Sequence, residues 1–222
     1  MIKNLFFDLD GTLTDSSEGI TKCAKLALEH FGITGYELSE LTAFIGPPLR
    51  DSFPNHGIAE SDVEEAIKVF RGRYNTIGKF ENVPYDGIKS VLERLKNSGH
   101  RLYVATSKPE VTAVQILDKF ELSQYFEIIC GATMDGGRDS KESVIKYLLE
   151  NISKDNNSIL KDDDFLNDVV MIGDTKFDVI GASVFGIKTI GVTWGFGTAE
   201  EMIEAGAIKI VDNVDQLYDA VK

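Results

Sequence analysis

The 222-residue sequence predicts an α/β fold: a doubly wound parallel sheet with an inserted all-helical domain. Three observations predict it. Short, nearly continuous apolar runs recur along the chain, the pattern of strands buried on both faces of a parallel sheet. From Pro84 onward these runs alternate with amphipathic helical stretches, as in doubly wound folds. Between Thr14 and Pro84 no convincing strand interrupts a succession of helical stripes. The expected division is a core of residues 1–14 and 85–222 and a helical domain of residues 15–84.

The first strand is Ile2 to Phe7, stopping at Asp8. A helix from Ser16 follows, with Ile20, Cys23, Ala24, Ala27 and Phe31 on one face and Gly32 suited to its end. Gly46-Pro47-Pro48 and the Pro54 region read as punctuation, with a short helix on either side. Val63, Ala66, Ile67, Phe70, Tyr74 and Ile77 make a second stripe. After Pro84, Ile88, Val91, Leu92 and Leu95 form a helix ended by Gly99, and Arg101 to Ala105 a strand before a helix that Pro109 can start. Phe126 to Cys130 is the next strand, followed by a helix through Val144, Leu148 and Ile152. Then come a strand at Val169 to Ile172, a helix from Phe177, a strand at Lys188 to Val192, a helix from Thr198, a strand at Ile208 to Val211 and a terminal helix. Lys161 to Asp168, with Asp162, Asp163 and Asp164 in a row, reads as a solvated acidic loop.

Composition narrows the possible partners. Apolar residues make up 43% of the chain, enough for a sizeable core. Cys23 and Cys130 lie in no metal or redox pair, so both read as buried thiols in a reducing, cytoplasmic compartment. No apolar run approaches the roughly 18 residues of a membrane span. The apolar start is cut at once by Asp8 and Asp10, so no signal peptide is expected and the mature chain begins at Met1. The net charge of −13, with no basic run longer than a pair, disfavours nucleic acid polymers and anionic membranes as partners. A small anionic metabolite fits, provided its pocket supplies positive charge. No internal repeat is visible, and the sequence does not define an oligomeric state.

A parallel sheet binds ligands beyond the carboxyl ends of its strands, so the chemistry is sought there. The segments FFDLDGTLTDS, VATSKP, GGRDSKE and VVMIGDTKFD bring Asp8, Asp10, Thr106, Ser107, Lys141, Asp174 and Asp178 toward one edge. Asp8 and Asp10, two apart, leave the strand on the same side, and Gly11 allows a tight turn that exposes amide protons. Asp174 and Asp178 share a face if the chain is helical from Lys176 onward. Four crowded carboxylates demand a cation, and an oxygen-only donor set suits Mg²⁺. An anion can then bind opposite the metal, held by Lys141, the Thr106 or Ser107 hydroxyl and backbone amides.

Other readings of these residues are weaker. An EF-hand glycine sits at loop position six, whereas Gly11 would be fourth from Asp8. Thr106 alone could cap a helix and Asp178 alone could be a first-turn acid, but their joint placement at successive strand ends favours a site. His30, His56 and His100 share no ligand spacing, and neither a GxSxG elbow nor a Walker loop is present. Trp194 and Phe196 in GVTWGFGT read as a glycine-rich exit loop packing near the site.

DLDGTLTDS, with the downstream threonine, lysine and GDxxxD, resembles the haloacid dehalogenase-like hydrolase superfamily over the whole chain. The branch it resembles is the phosphoglycolate-phosphatase-like one, with a helical cap inserted after the first strand. The resemblance implies that Asp8 attacks phosphorus in line while Asp10 protonates the leaving alkoxide and then activates water. It also implies Mg²⁺ bound by Asp8, the Asp10 backbone carbonyl and Asp174, with Asp178 bound through water or behind the direct ligands. One departure is that Lys141 precedes Glu142, where relatives often carry a Lys-Pro pair, so Lys108 of TSKP rivals it for the phosphate contact; Lys141 is preferred because it opens a helix after the third strand. The expected activity is Mg²⁺-dependent hydrolysis of a small phosphomonoester, phosphoglycolate-phosphatase-like or 5'-nucleotidase-like. The block after Asp15 would close as a lid, with Gly46, Pro47, Pro48 and Arg50 as candidate leaving-group contacts. A sugar phosphomutase ranks lower, because related mutases place a histidine where this chain has Glu18, Gly19 and Ile20. A receiver-type signalling module ranks lower still, because the acceptor ends the first strand and Asp10 stands ready beside it.

Overall fold

The computed structural model describes residues 2–153 and 163–222. Met1, Lys161 and Asp162, on which the expected chain start and part of the acidic loop fall, lie outside the described residues. The chain divides into two compact units, Met1–Thr14 with Pro84–Lys222, and Asp15–Val83.

The first unit holds a parallel sheet of six strands: β1 (Asn4–Phe7), β4 (Arg101–Pro109), β5 (Ile128–Ala132), β6 (Val169–Gly173), β7 (Lys188–Val192) and β8 (Lys209–Val211). Their order is β5-β4-β1-β6-β7-β8, with Asn4 of β1 in register with Arg101 on one side and Val169 on the other. Side chains alternate between faces, which decides where the helices pack. Leu5 and Phe7 face a core shared with α4 (Ile88–Asn97), α5 (Glu110–Lys119) and α10 (Val214–Ala220). Phe6, Tyr103 and Met171 face the opposite core, formed with α6 (Lys141–Ile152), α7 (Asp163–Asn167) and α8 (Lys176–Ser183). The helix α9 (Ala199–Ala205) follows β7 and buries Met202. Helices thus cover both faces, as a doubly wound sheet requires.

Several elements differ from expectation, each for a visible reason. β4 continues past Ala105 to Pro109 because a register shift between Thr106 and Pro109 keeps it paired with β5. β5 starts at Ile128 instead of Phe126, since a 3-10 turn occupies Ser123–Tyr125. Part of the supposed acidic loop is α7, whose Leu166 turns into the core. The segment read as strand-free begins and ends on two-residue strands, β2 (Thr14–Asp15) and β3 (Val83–Pro84), which pair where the chain passes between the units.

The second unit is helical: α1 (Ser17–His30), a 3-10 turn at Leu38–Phe44, α2 (Leu49–Asn55) and α3 (Val63–Tyr74). Cys23, Ala24 and Ala27 of α1 and Ala66, Ile67 and Phe70 of α3 are buried, and Phe53 packs edge-on against Phe70. Ile77, expected on the α3 stripe, lies beyond the helix end and is exposed. There the chain turns back, and Arg73 donates from both Nη atoms to Glu81, at 2.6 and 2.9 Å. Both cysteines are free and buried. Burial pushes both thiols up, that of Cys130 to about 12, so neither is a ready thiolate.

Candidate active site

Asp8 is the first residue after β1, and its amide donates to Ile172 O of β6 at 3.0 Å, so the sheet itself fixes its position. The chain then folds into a tight turn in which the amides of Thr12, Leu13 and Thr14 all approach Leu9 O. Gly11 adopts φ +76°, and a Cβ there would lie 2.0 Å from Asp174 Oδ2. Its amide donates to Thr14 O at 2.8 Å. The residue supplies backbone freedom for the turn and clearance for Asp174.

Asp174 follows β6 and is fully buried. Thr12 Oγ1 donates to its Oδ1 at 3.1 Å and Phe196 N to its Oδ2 at 2.8 Å. The Trp194–Gly197 loop crowds it closely enough that a Cβ on Gly195 would lie 2.3 Å from Asp174 Oδ2. Trp194 Nε1 donates to Thr12 O at 3.1 Å, locking the two loops together. Asp178 stands in the first turn of α8, where the amide and hydroxyl of Thr175 donate to its Oδ2 at 3.1 and 2.9 Å. Asp174 precedes that helix, so the two acids do not share a helical face as expected; they meet because the cap turns Asp178 inward.

Asp8, Asp174 and Asp178 each offer a carboxylate oxygen within 4.8 Å of the others, and all three are buried. Lys141, at the start of α6 behind the N-cap Ser140, places Nζ 2.8 Å from Asp8 Oδ1, 2.7 Å from Asp178 Oδ1 and 2.9 Å from Ala105 O. Burial alone would push the Lys141 ammonium down, but Asp178 and Asp8 outweigh it and hold it above its ordinary value. Burial, then Asp178 and Asp8, hold the Asp174 carboxyl well above the usual range, against Phe196 N and Thr12 Oγ1. Burial also raises Asp178, and Lys141 opposes this without cancelling it. Three clustered acids, two of them paired with one ammonium, leave the cluster short of positive charge. A donor set of hard oxygens with that deficit fits Mg²⁺.

The fourth acid is not in this cluster. Asp10 meets Lys108, whose Nζ lies 2.8 Å from Oδ1 and 2.7 Å from Oδ2. The expected crowding of four carboxylates becomes a cluster of three, in which Lys141 pairs with Asp8 and Asp178, and a fourth acid on Lys108. The β4 bulge causes this by turning Lys108 into the site. Thr106 is buried, and its Oγ1 accepts from Lys108 N at 3.2 Å instead of capping α5. Ser107 beside it is half-buried. Gly46, Pro47, Pro48 and Arg50 belong to the helical unit, where Arg50 pairs with Glu64.

Residues 5–192 match the haloacid dehalogenase-like hydrolase family, running from β1 to the end of β7 and taking in the acidic cluster and both lysines. The chain belongs to this family. A predicted phosphatase from Clostridium acetobutylicum has the same fold at a TM-score of 0.90 and 44% identity, covering 100% of this chain and 98% of that one. A 5'-nucleotidase of Pseudomonas aeruginosa is 42% identical over 90% of this chain and 86% of its own length. The tyrosine-protein kinase PtkA of Mycobacterium tuberculosis is 39% identical over 98% of this chain and 72% of its own. Family and site chemistry together make this haloacid dehalogenase-like hydrolase a phosphomonoester hydrolase. Thr12 and Thr175, which hold Asp174 and Asp178, escaped sequence reasoning. Both stand beside acids in the DGTLT and GDTKFD motifs, a threonine pattern that could have flagged them as orienting donors.

Proposed function

We propose that this hydrolase is a Mg²⁺-dependent phosphatase that cleaves a small phosphomonoester through a phosphoaspartate on Asp8. The observation that carries the reading is the placement of Asp8 at the end of β1, within the carboxylate cluster and 2.8 Å from Lys141 Nζ. Asp8, the Asp10 backbone carbonyl and Asp174 would hold the ion, with Asp178 through water or behind them. When bound, Mg²⁺ supplies charge neutralisation and Lewis-acid polarisation of the phosphoryl oxygens.

An Asp8 carboxylate oxygen attacks phosphorus in line, forming one P–O bond as the ester P–O bond breaks. Asp10 is the group that delivers a proton to the leaving alkoxide. The resulting Asp10 carboxylate takes a proton from water, whose oxygen displaces Asp8 from phosphorus and releases inorganic phosphate. Lys141 orients Asp8 and offsets the charge of the two anions that must meet, while Thr106, Ser107 and the backbone at this edge receive the phosphoryl oxygens. Lys108 positions Asp10 and stands beside the same phosphate.

The helical unit is assigned the role of a lid that excludes water, with Gly46, Pro47, Pro48 and Arg50 contacting the leaving group. Its insertion directly after the DLDGT segment supports this. The Pseudomonas relative supports a nucleoside 5'-monophosphate ahead of phosphoglycolate as substrate. Two buried free thiols support a cytoplasmic setting. No helix among the described residues is long and apolar enough to cross a membrane.

Asp8→Asn tests the reading. With Mg²⁺ and a generic aryl phosphate, turnover should fall by at least about 10³-fold with the fold intact; retained turnover rejects the mechanism. In a panel of phosphate esters ranked by kcat/KM, free phosphate marks hydrolysis, an isomerised sugar phosphate marks a mutase, and a phosphorylated peptide marks transfer to protein.

A further inference from the structure

We infer that Glu110 and Arg138 form a strut that fixes the two lysine-bearing loops relative to each other, which makes both positioning residues for phosphate binding. The inference rests on the phosphatase reading above. Neither residue belongs to the acidic cluster, yet each is tied closely into the core unit. Arg138 Nε donates to Gly131 O at 2.7 Å, its Nη2 donates to Glu110 Oε2 at 2.9 Å, and its guanidinium lies 3.6 Å over the Tyr147 ring. Glu110 Oε2 also accepts from Gly131 N at 3.2 Å. The Arg138 backbone is held as well, with its amide donating to Thr133 Oγ1 and its carbonyl accepting from Thr133 N.

These contacts join two segments that carry phosphate-site residues. Glu110 opens α5 immediately after the bulge that presents Thr106 and Lys108. Arg138 lies three residues ahead of Lys141. Gly131 sits between them with no room for a side chain: a Cβ there would lie 2.5 Å from Lys108 O and 2.7 Å from the Glu110 Cα. A movement of Arg138 therefore reaches Lys141 through three residues of backbone, and a movement of Glu110 reaches Lys108 through two. A planar guanidinium that holds Gly131 O through Nε and Glu110 through Nη2 resists both movements, and a flexible ammonium in its place resists them less. Misplacement of charged groups by about 1 Å is enough to weaken a phosphoryl site by one or two orders of magnitude.

The test uses Glu110→Gln, Arg138→Met, Arg138→Lys and the Glu110→Gln/Arg138→Met double variant of the full chain. Two readouts are taken: steady-state kinetics on an aryl phosphate with inorganic phosphate as inhibitor, and amine acylation of each lysine followed by mass spectrometry. Each single loss should raise KM and the phosphate inhibition constant on the order of tenfold, with kcat changing less. The double variant should be no worse than the worse single, and Arg138→Lys should fall between. Acylation of Lys108 and Lys141 should accelerate while that of exposed Lys68 stays constant. Folded variants with wild-type KM, inhibition constant and acylation rates would overturn the strut. If the wild type neither turns over phosphomonoesters nor binds phosphate, the phosphatase reading falls, and the acylation pattern decides the strut by itself. Loss of thermal stability with unchanged kinetics and acylation in the folded fraction would reduce the pair to an ordinary structural contact and also overturn it.

Discussion

Replacing Lys141 by Met removes the ammonium that pairs with Asp8 and Asp178 in a buried cluster of three acids and leaves an isosteric apolar chain. Its Nζ lies 2.7 Å from Asp178 and 2.8 Å from Asp8. At an effective dielectric of about 20, each pair is worth about 6 kcal/mol of gross Coulomb attraction. Desolvation of the ammonium and the two carboxylates offsets most of it, and breaking a buried pair costs about 3–5 kcal/mol net. At about 2–4 °C per kcal/mol for a chain of this size, Tm in chelator should fall by roughly 6–20 °C. Mg²⁺ restores positive charge, so it should raise the Tm of the variant more than that of the wild type, while turnover stays down by about 10² or more. Asp174 and Asp178 already have raised folded values, and without Lys141 the Asp178 value rises further. Acids whose folded values exceed the unfolded one of about 3.9 favour the protonated fold, so stability is lost as pH rises through that window. The deficit of the variant should therefore narrow on lowering pH, as followed by circular dichroism melts in chelator between pH 8 and pH 5. A Tm within about 1 °C of wild type, or a deficit that widens in acid, would refute the reasoning.

The same linkage applies to the wild type. Mg²⁺ must displace the proton favoured on Asp174, so its stabilisation should be larger at pH 8 than at pH 5, reaching about 2.7 kcal/mol at a hundredfold excess over Kd; equal melting shifts at the two pH values would contradict this. Gly11→Ala places a Cβ 2.0 Å from Asp174 Oδ2 at φ +76°. It should cost about 1–2 kcal/mol in backbone strain and weaken Mg²⁺ binding by about tenfold or more in calorimetry; unchanged affinity would argue against the assigned role of Asp174.

The sequence specifies most of the sheet because a strand buried on both faces must be apolar along its length, and Asn4–Phe7, Val169–Gly173 and Lys188–Val192 carry that signature. The acids were legible for the same reason: charge at the end of a buried apolar run has little structural use. The division of labour between Lys141 and Lys108 was not legible. It depends on a register shift after Thr106 that no local propensity encodes and on Gly131 being small enough to accept it. Gly11 could be read as a turn residue, but its clearance for Asp174 depends on a contact across 163 residues of sequence. The two-residue strands β2 and β3 were too short to leave a pattern, and the inward aim of Asp178 arises from the Thr175 cap.

Rapid-quench labelling measures directly whether phosphorus is transiently esterified to one particular oxygen-bearing side chain. With a ³²P-labelled aryl phosphate, whose leaving group needs little help from an acid, Asp10→Asn should slow the second step and let the intermediate accumulate. Acid quench and peptide mapping should then find the label, sensitive to hydroxylamine, on the peptide containing Asp8 and nowhere else. Label on another residue, or brisk release of phosphate with no protein-bound label at any time point, would contradict the account.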